Sequence, residues 1–335
     1  LARAYIIVVG NLTAGGSGKT PLVVRLCRLL AQAGFRPGVV SRGYGREGRD
    51  LRVVSAGSDP RQVGDEPLLI ARRADVPVVV AADRCAAARH LLERGVDVIV
   101  ADDGLQHYRL PRNLEVCVVD GNRVFGNGRS LPAGPLREPI SRLGSVDHIV
   151  VNGDPAVLPA PYEAVGMHMQ AGVLRSLDNG QSWRLSQFAG CWVNAIAGIG
   201  NPDRFFDLLR QARIKVNPWP FPDHHAYAPA DFKPMDPELP VLMTEKDAVK
   251  CRGLGLNNAW CLEVEAVLPD ETQESLIAHP LAMILPCVAV VHEEHTLAHC
   301  PRQRDKLIQA RMHTAGEELH IMKNEFKVEL LVVVM

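Results

Sequence analysis

One local arrangement narrows the fold more than anything else in the chain. An apolar run, YIIVVG at residues 5–10, leads directly into NLTAGGSGKTPL at 11–22 and then into the apolar-rich LVVRLCRLL. A strand, a glycine-rich turn and a helix in that order form a cradle for an anion. The backbone N–H groups of the turn and the positive end of the helix converge on it. In this pattern Lys19 reaches the terminal phosphates and the Thr20 hydroxyl ligates Mg²⁺. The usual GxxxxGKS/T spacing wants a glycine where this chain has Thr13, and Gly15 and Gly16 supply the flexibility instead. The cradle is therefore expected to be Thr13, Gly15, Gly16, Ser17, Gly18, Lys19 and Thr20. An ordinary strand-to-helix turn is the competing reading.

A chain of 335 residues is long for a single core, so a large domain with a smaller companion is expected. The net charge of −1 gives no global attraction to nucleic acid, and an apolar content of 47% favours a packed globule over disorder. The eight cysteines contain no CxxC pair and read as reduced core residues of a cytosolic protein. No apolar run approaches the roughly eighteen residues that would span a bilayer, and no signal peptide is visible. The chain opens at Leu1, almost inside the first strand, so a preceding segment is expected.

The first half alternates β-branched runs with helix-like segments, the rhythm of a parallel sheet covered on both faces. Strands are expected at 5–9, 37–41, 77–81, 96–101, 115–120 and 147–152, with helices near 19–33, 64–73 and 83–94. Functional residues on such a sheet gather at the carboxyl ends of the strands. Around Asp178-Asn179-Gly180 the pattern becomes that of a hairpin. From 191 the βα rhythm resumes, and NPDRFFDLLR reads as a helix capped by Asn201 with Pro202 first. The organisation expected is a phosphate-loop α/β core at 1–154, a hairpin linker at 155–190, a smaller α/β domain at 191–280 and a divergent tail at 281–335. The fold class is thus α/β, a P-loop NTPase-like parallel sheet flanked by helices.

Several stretches carry chemistry. VDVIVADDGLQH at 96–107 is a buried strand ending in Asp102 and Asp103, hard oxygen donors suited to Mg²⁺ beside a phosphate loop. The two would face opposite ways if the strand persisted, leaving one to the metal. GDEP at 64–67 reads by itself as a helix cap carrying Asp65 and Glu66. FPDHHAY sets Asp223, His224 and His225 on a proline-bounded loop, where a histidine beside a carboxylate could orient a general base. FGNGRSLPAGPLREP at 125–139 is a long Gly/Pro-rich loop with Arg129, Arg137 and Glu138, and Arg42 and Arg84 add positive charge at the same edge, as acceptor binding would need. TEKDAVK lacks the NKxD spacing of guanine-specific proteins. The turn GIG at 198–200 is only half a dinucleotide fingerprint. HEEHTLAHC at 292–300 is not HExxH and reads as solvated histidines.

Taken in order, GNLTAGGSGKTP, VVSRGYGR, VGDEP, ADR, DDGLQH, LPAGPLREP, IAGIGNPDRFF, FPDHHAY and TEKDAVK make the chain resemble the tetraacyldisaccharide 4′-kinases of lipid A biosynthesis, across about residues 6–266. The resemblance implies transfer of the ATP γ-phosphate to the 4′-hydroxyl of a tetraacylated glucosamine disaccharide 1-phosphate, giving lipid IV-A at the cytoplasmic face of the inner membrane. It implies Asp65 as the base that takes the hydroxyl proton, with His224 assisting. Lys19 and Thr20 would serve ATP and Mg²⁺, and Asp102 and Asp103 the metal. Arg84, His107, Arg137 and Glu138 would handle nucleotide or acceptor phosphate. Family members carry an N-terminal membrane-docking helix, and this chain starts after it, so peripheral attachment is expected to be weakened. A nucleotide-switched ATPase or GTPase interaction protein, and a phosphate-loop kinase of a soluble metabolite, are the other readings the phosphate loop allows.

Overall fold

The computed structural model of the protein describes residues 4–284; the HEEHTLAHC histidines and the rest of the chain from 285 onward lie outside the described residues. The first half runs β1 (Tyr5–Gly10), α1 (Lys19–Gln32), β2 (Pro37–Ser41), β3 (Arg52–Val54), α2 (Pro60–Val63), α3 (Asp65–Ala74), β4 (Val78–Val80), α4 (Arg84–Glu93), β5 (Val98–Asp102), β6 (Leu114–Asp120) and β7 (His148–Asn152). The second continues with β8 (Val165–Ser176), β9 (Ser182–Arg184), β10 (Trp192–Ala197), α5 (Pro202–Gln211), β11 (Lys215–Pro220), α6 (Pro229–Phe232), β12 (Val241–Thr244), α7 (Glu245–Cys251), β13 (Ala259–Val267) and α8 (Asp270–Ile284).

Every residue of β1, β5 and β6 is buried, which is why these runs are mostly apolar rather than alternating, Asp102, Glu115 and Asp120 apart. The strand period of two still decides which helix each residue meets. Tyr5, Ile7 and Val9 pack with Leu22, Leu26 and Leu30 of α1, whereas Ile6 and Val8 pack with Ala87, Ala88 and Leu91 of α4 on the opposite face. Each of the valines, leucines and isoleucines among them contributes about 1.5–3 kcal/mol when fully buried. The strands form one sheet in the order β11-β10-β12-β13-β8-β7-β6-β1-β5-β2-β4-β3, with β9 paired to β8 alone. All pairings are parallel except β3 with β4, β13 with β8 and β8 with β9.

Strand β8 joins the two halves. Its first residues pair in parallel with β7 at Val150↔Val165, and its later ones run antiparallel to β13 at Leu262↔Leu174. Beyond Ser176 the chain turns at Asn179-Gly180, with Gly180 at φ 71° and the Ser176 N–H donating to the Gln181 carbonyl at 2.8 Å. The second half has its own cores, Val193, Phe206, Leu209 and Leu242 on one face, Ile196, Tyr227 and Met243 on the other.

The strands expected in the first half all form, to within two residues at either end. β3, a three-residue antiparallel edge, and the short α2 were not anticipated. Asn201 does precede α5, but its side chain makes no capping hydrogen bond. Pro202, first in the helix, has no N–H and so leaves one fewer orphan donor in that turn. The cysteines among the described residues are all free, with Cys27, Cys117 and Cys251 buried, Cys85 and Cys261 half-buried and Cys191 exposed.

Candidate active site

The phosphate loop leaves β1, the central strand of the first half, and enters α1 at Lys19. Gly18 is in the left-handed region at φ 92°, and a Cβ there would meet Asn152 Nδ2 at 2.5 Å and Met169 Cε at 2.8 Å. Glycine is therefore required at this position on both counts. Thr13, where the usual pattern has glycine, sits in a bridge to Leu136 with Ala14 N–H bonded to the Pro135 carbonyl at 2.8 Å. The backbone there is not in the left-handed region, so a β-branched residue fits. Thr13, Ser17, Lys19 and Thr20 are all buried. An open cavity of about 280 Å³ lies beside the loop, lined by Thr13, Ala14, Arg123, Val124, Gly126 and Pro135.

Next to the loop stands a cluster of acids and bases. Strand β5 ends at Asp102, and Asp103 turns to φ 50°, so the simple alternation expected for the pair does not apply. Asp103 faces Lys19 Nζ at 3.3 Å and takes Arg137 Nη1 on both carboxylate oxygens at 3.0 and 2.9 Å, while Arg84 Nη2 donates to its carbonyl at 3.1 Å. Burial pushes the Asp103 carboxyl up, but Lys19 and Arg137 outweigh it and hold it below the ordinary range. Asp102 is fully buried and accepts from Ser41 Oγ at 3.1 Å on Oδ2. Its Oδ1 is buried with no hydrogen-bond partner among the described residues. Burial, then the negative charges of Glu66 and Asp103, push its carboxyl up to about 7. Glu66 is held by Lys246 at 2.7 Å. Burial pushes the Lys246 ammonium down, yet Glu66, Asp223 and Asp65 outweigh that and keep it above its ordinary value.

The third part of the site joins the two halves of the chain. Helix α3 starts at Asp65 after Gly64, whose φ of 92° lets it press against Gly43, where a Cβ would meet the Gly43 Cα at 3.0 Å. GDEP is thus docked on the SRGYG turn. The cap position is Gly64 and no side chain caps the helix, which corrects the reading of Asp65 and Glu66 as capping residues. They occupy the first turn, where the helix dipole favours them. His224, at φ 60°, places Nδ1 3.6 Å from Asp65 Oδ2, with Asp223 Oδ1 3.9 Å from Nε2 and the Tyr44 ring 5.2 Å away. His225 turns elsewhere, to Asp231 at 3.0 Å and a stack on Phe221.

The Gly/Pro-rich loop folds back on the phosphate loop, the Arg137 N–H donating to the Leu12 carbonyl at 2.6 Å. That bond delivers Arg137 to Asp103. Glu138 takes Gln106 Nε2 at 2.7 Å and the Tyr108 hydroxyl. Arg84 is buried at the start of α4, and burial holds its guanidinium below its ordinary value despite Asp103 and Asp102. His107 Nε2 has no partner among the described residues, and burial together with Arg84 holds the ring below its usual value. Arg42 is exposed, just past β2. Lys19, Asp65, Arg84, Asp102, Asp103 and Arg137 therefore gather at one end of the first-half strands, with His224 brought to them from the second half, while His225 does not join them. Lys246 was overlooked, because TEKDAVK was weighed only against NKxD. The sequence carries only a weak signal, a lysine in the first turn of a helix where the dipole mildly disfavours it, and that does not name the partner.

A mostly parallel sheet with a glycine cradle on the central strand of its first half and a carboxylate ending the neighbouring strand defines a phosphate-loop α/β protein. The family profile of tetraacyldisaccharide-1-P 4′-kinase matches residues 2–281, and the chain belongs to that family. The tetraacyldisaccharide 4′-kinase of Alkalilimnicola ehrlichii is 52% identical over 275 residues, 82% of this chain and 81% of its own length. That of Stenotrophomonas maltophilia is 50% identical over 270 residues, 79% of each chain. A crystal structure of LpxK from Aquifex aeolicus in complex with ATP is similar with a TM-score of 0.69 at 30% identity, over 83% of this chain and 88% of that one.

Proposed function

We propose that the chain transfers the γ-phosphoryl group of ATP to the 4′-hydroxyl of a tetraacylated glucosamine disaccharide 1-phosphate, giving lipid IV-A. The observation that carries the reading is the pairing of Asp65 with His224 beside the Lys19–Asp103 cluster, a base next to a phosphate cradle. Asp65 accepts the proton of the attacking hydroxyl, and His224 orients the carboxylate and shares its charge. Their 3.6 Å separation is longer than a hydrogen bond, as is common before substrate binds. Lys19 neutralises the terminal phosphates of ATP, and Arg137, already forked onto Asp103, offers a second cation. Arg42, Arg84, His107 and Glu138 line the approach of the acceptor and its phosphate.

The donor set fits Mg²⁺. Thr20 is the second residue of α1, and the fully buried Asp102 has an unpartnered oxygen and a surplus of negative charge around it, the condition a hard divalent cation relieves. Thr20 and Asp102 would hold Mg²⁺, which would supply charge neutralisation for the transferred phosphoryl group. The acceptor is a lipid, so the reaction belongs at the cytoplasmic face of the inner membrane. Among the described residues no helix is long and apolar enough to cross a membrane, and attachment is peripheral in this reading. Tyr44, exposed two positions beyond Arg42 and with its ring 5.2 Å from His224, offers the acceptor an apolar face.

The test is transfer of labelled γ-phosphate from ATP to tetraacyldisaccharide 1-phosphate in detergent micelles. Product is expected from the parent, with losses of about 10²–10⁴ in kcat for Asp65→Ala and at least comparable for Lys19→Ala. A folded, ATP-binding parent that phosphorylates a water-soluble acceptor instead would refute the lipid assignment.

A further inference from the structure

The carbonyl oxygens at the tip of the phosphate loop face a ring of polar side chains of which only Arg204, in IAGIGNPDRFF, belongs to a motif quoted above. Asn152, the buried last residue of β7, donates Nδ2–H to the Ser17 carbonyl at 3.2 Å. Arg123 donates to the Gly16 carbonyl. Both lead to one buried carboxylate, Asp120, the last residue of β6. Its Oδ2 lies 3.6 Å from Arg123 Nη2 and 3.8 Å from Arg204 Nη1. Arg204 Nη2 then closes the ring on Asn152, donating to Oδ1 at 3.1 Å and to the carbonyl at 3.2 Å. Strand register explains the placement, since β6 and β7 pair at Asp120↔Asn152 and so set carboxylate and amide side by side. Arg204 arrives from α5, in the second half of the chain.

The consequence follows from peptide geometry. In a planar trans peptide the C=O and N–H point in opposite directions. The Gly16 carbonyl shares its peptide with the Ser17 N–H, and the Ser17 carbonyl shares its peptide with the Gly18 N–H. Holding both carbonyls toward the ring turns both N–H groups to the opposite side of the loop. The glycines agree with this: a Cβ on Gly18 would strike Asn152 Nδ2 at 2.5 Å and one on Gly15 would meet Arg123 Nη1 at 2.9 Å, so the ring lies as close as the backbone allows. Gly200, in the turn before α5, lies against the same tip, with a Cβ position 3.6 Å from Gly16 N.

We infer that Arg204, Asn152, Asp120 and Arg123 form a positioning assembly that presets the Ser17 and Gly18 N–H groups for the phosphates of ATP. Through Arg204, the order of the cradle depends on α5 being seated against the ends of β6 and β7. The assembly rests on the reading of residues 13–20 as the ATP site. It touches the loop's carbonyls rather than the reacting atoms, so its members are positioning residues.

The experiment is calorimetric titration of the full chain with Mg²⁺-ATP, for the parent and for Arg204→Ala, Arg204→Lys, Asn152→Ala and the double alanine variant. Melting temperatures and separate KM values for ATP and for the lipid acceptor are measured alongside. Loss of one preset donor is worth about tenfold in affinity. Each alanine variant is therefore expected to bind ATP about tenfold more weakly and to raise the ATP KM in proportion, leaving the acceptor KM unchanged. The double variant should be little worse than the single ones, because both residues act on the same loop, and Arg204→Lys should recover part of the loss. Alanine variants that melt earlier yet bind ATP like the parent, measured below both melting transitions, would overturn the inference and leave a strap between the two halves. A folded parent that binds no ATP would overturn the reading of the loop itself, and the assembly with it.

Discussion

Two carboxylates of the first-half sheet, Asp102 and Glu115, are both buried, at 0% and 6% exposure, and their surroundings are opposite. Glu115 lies near the start of β6 and is gripped by Arg142 Nη2 at 2.6 and 2.7 Å and by Arg112 Nη1 at 2.7 Å. Burial pushes its carboxyl up, but the two arginines more than compensate and hold it below the ordinary range. Asp102 closes β5 at the other end of the sheet and has one hydroxyl, one unpartnered oxygen and two acidic neighbours, so its carboxyl is pushed up to about 7. Glu115 is fully paired, as a buried charge kept for structure must be. Asp102 is left short of positive charge at the carboxyl end of a strand, the surroundings expected of a carboxylate that awaits a ligand.

The contrast breaks most sharply with Asp102→Asn. If the carboxylate awaits a cation, this nearly isosteric change should lower kcat for phosphoryl transfer by about 10³, roughly 4 kcal/mol. Its effect on stability should have the other sign. The folded-state value is raised, so the contribution of the protonated acid is lost as pH rises through about 7. At pH 8 in a chelator, about one unit above that value, the asparagine form should melt no lower than the parent. A variant that loses activity and melts markedly earlier would place Asp102 with Glu115 as a structural acid. The counterpart is Glu115→Gln, which should cost about 2 kcal/mol in urea unfolding by weakening the charged hydrogen bonds of Arg142 and Arg112. Its kcat, measured well below its melting temperature, should stay close to that of the parent.

The same contrast governs what the sequence made legible. The β-branched runs of β1, β5 and β6 declare buried parallel strands because both faces are covered, and the carboxylates ending β5 stand out against that background. The glycine cradle is legible because Gly15 and Gly18 need positive φ, and residue identity encodes that locally. β3 escaped because Arg52–Val54 is too short for a period to show. Lys246 with Glu66, and Arg204 with Asp120 and Asn152, escaped for a different reason. Each pairing joins the two halves through sheet order, and nothing in either local stretch names its partner. Glu115 was equally silent, since Arg112 and Arg142 resemble any surface arginines until the approach to β6 and a short 3-10 turn at Ile140–Ser145 bring them to one carboxylate. The phosphate loop is written in neighbouring residues, while the contacts that hold it in shape are written in the topology.

The smallest effect tests the sign on the structural side. A carboxyl held below its ordinary value contributes stability that is fully present above the unfolded value of about 4.3 and is lost as pH falls through the folded one. Between neutral pH and about 5, the parent and Glu115→Gln should therefore differ by a constant unfolding free energy. Below about pH 4 the gap should close, because the parent is then protonating the group that the glutamine already replaces. Urea unfolding at a series of pH values, for both proteins in the same chelator, reads the gap directly. A gap that stays constant down to about pH 2.5 would mean that the arginines do not depress Glu115, and the division between paired structural acids and underpaired functional ones would lose its clearest member.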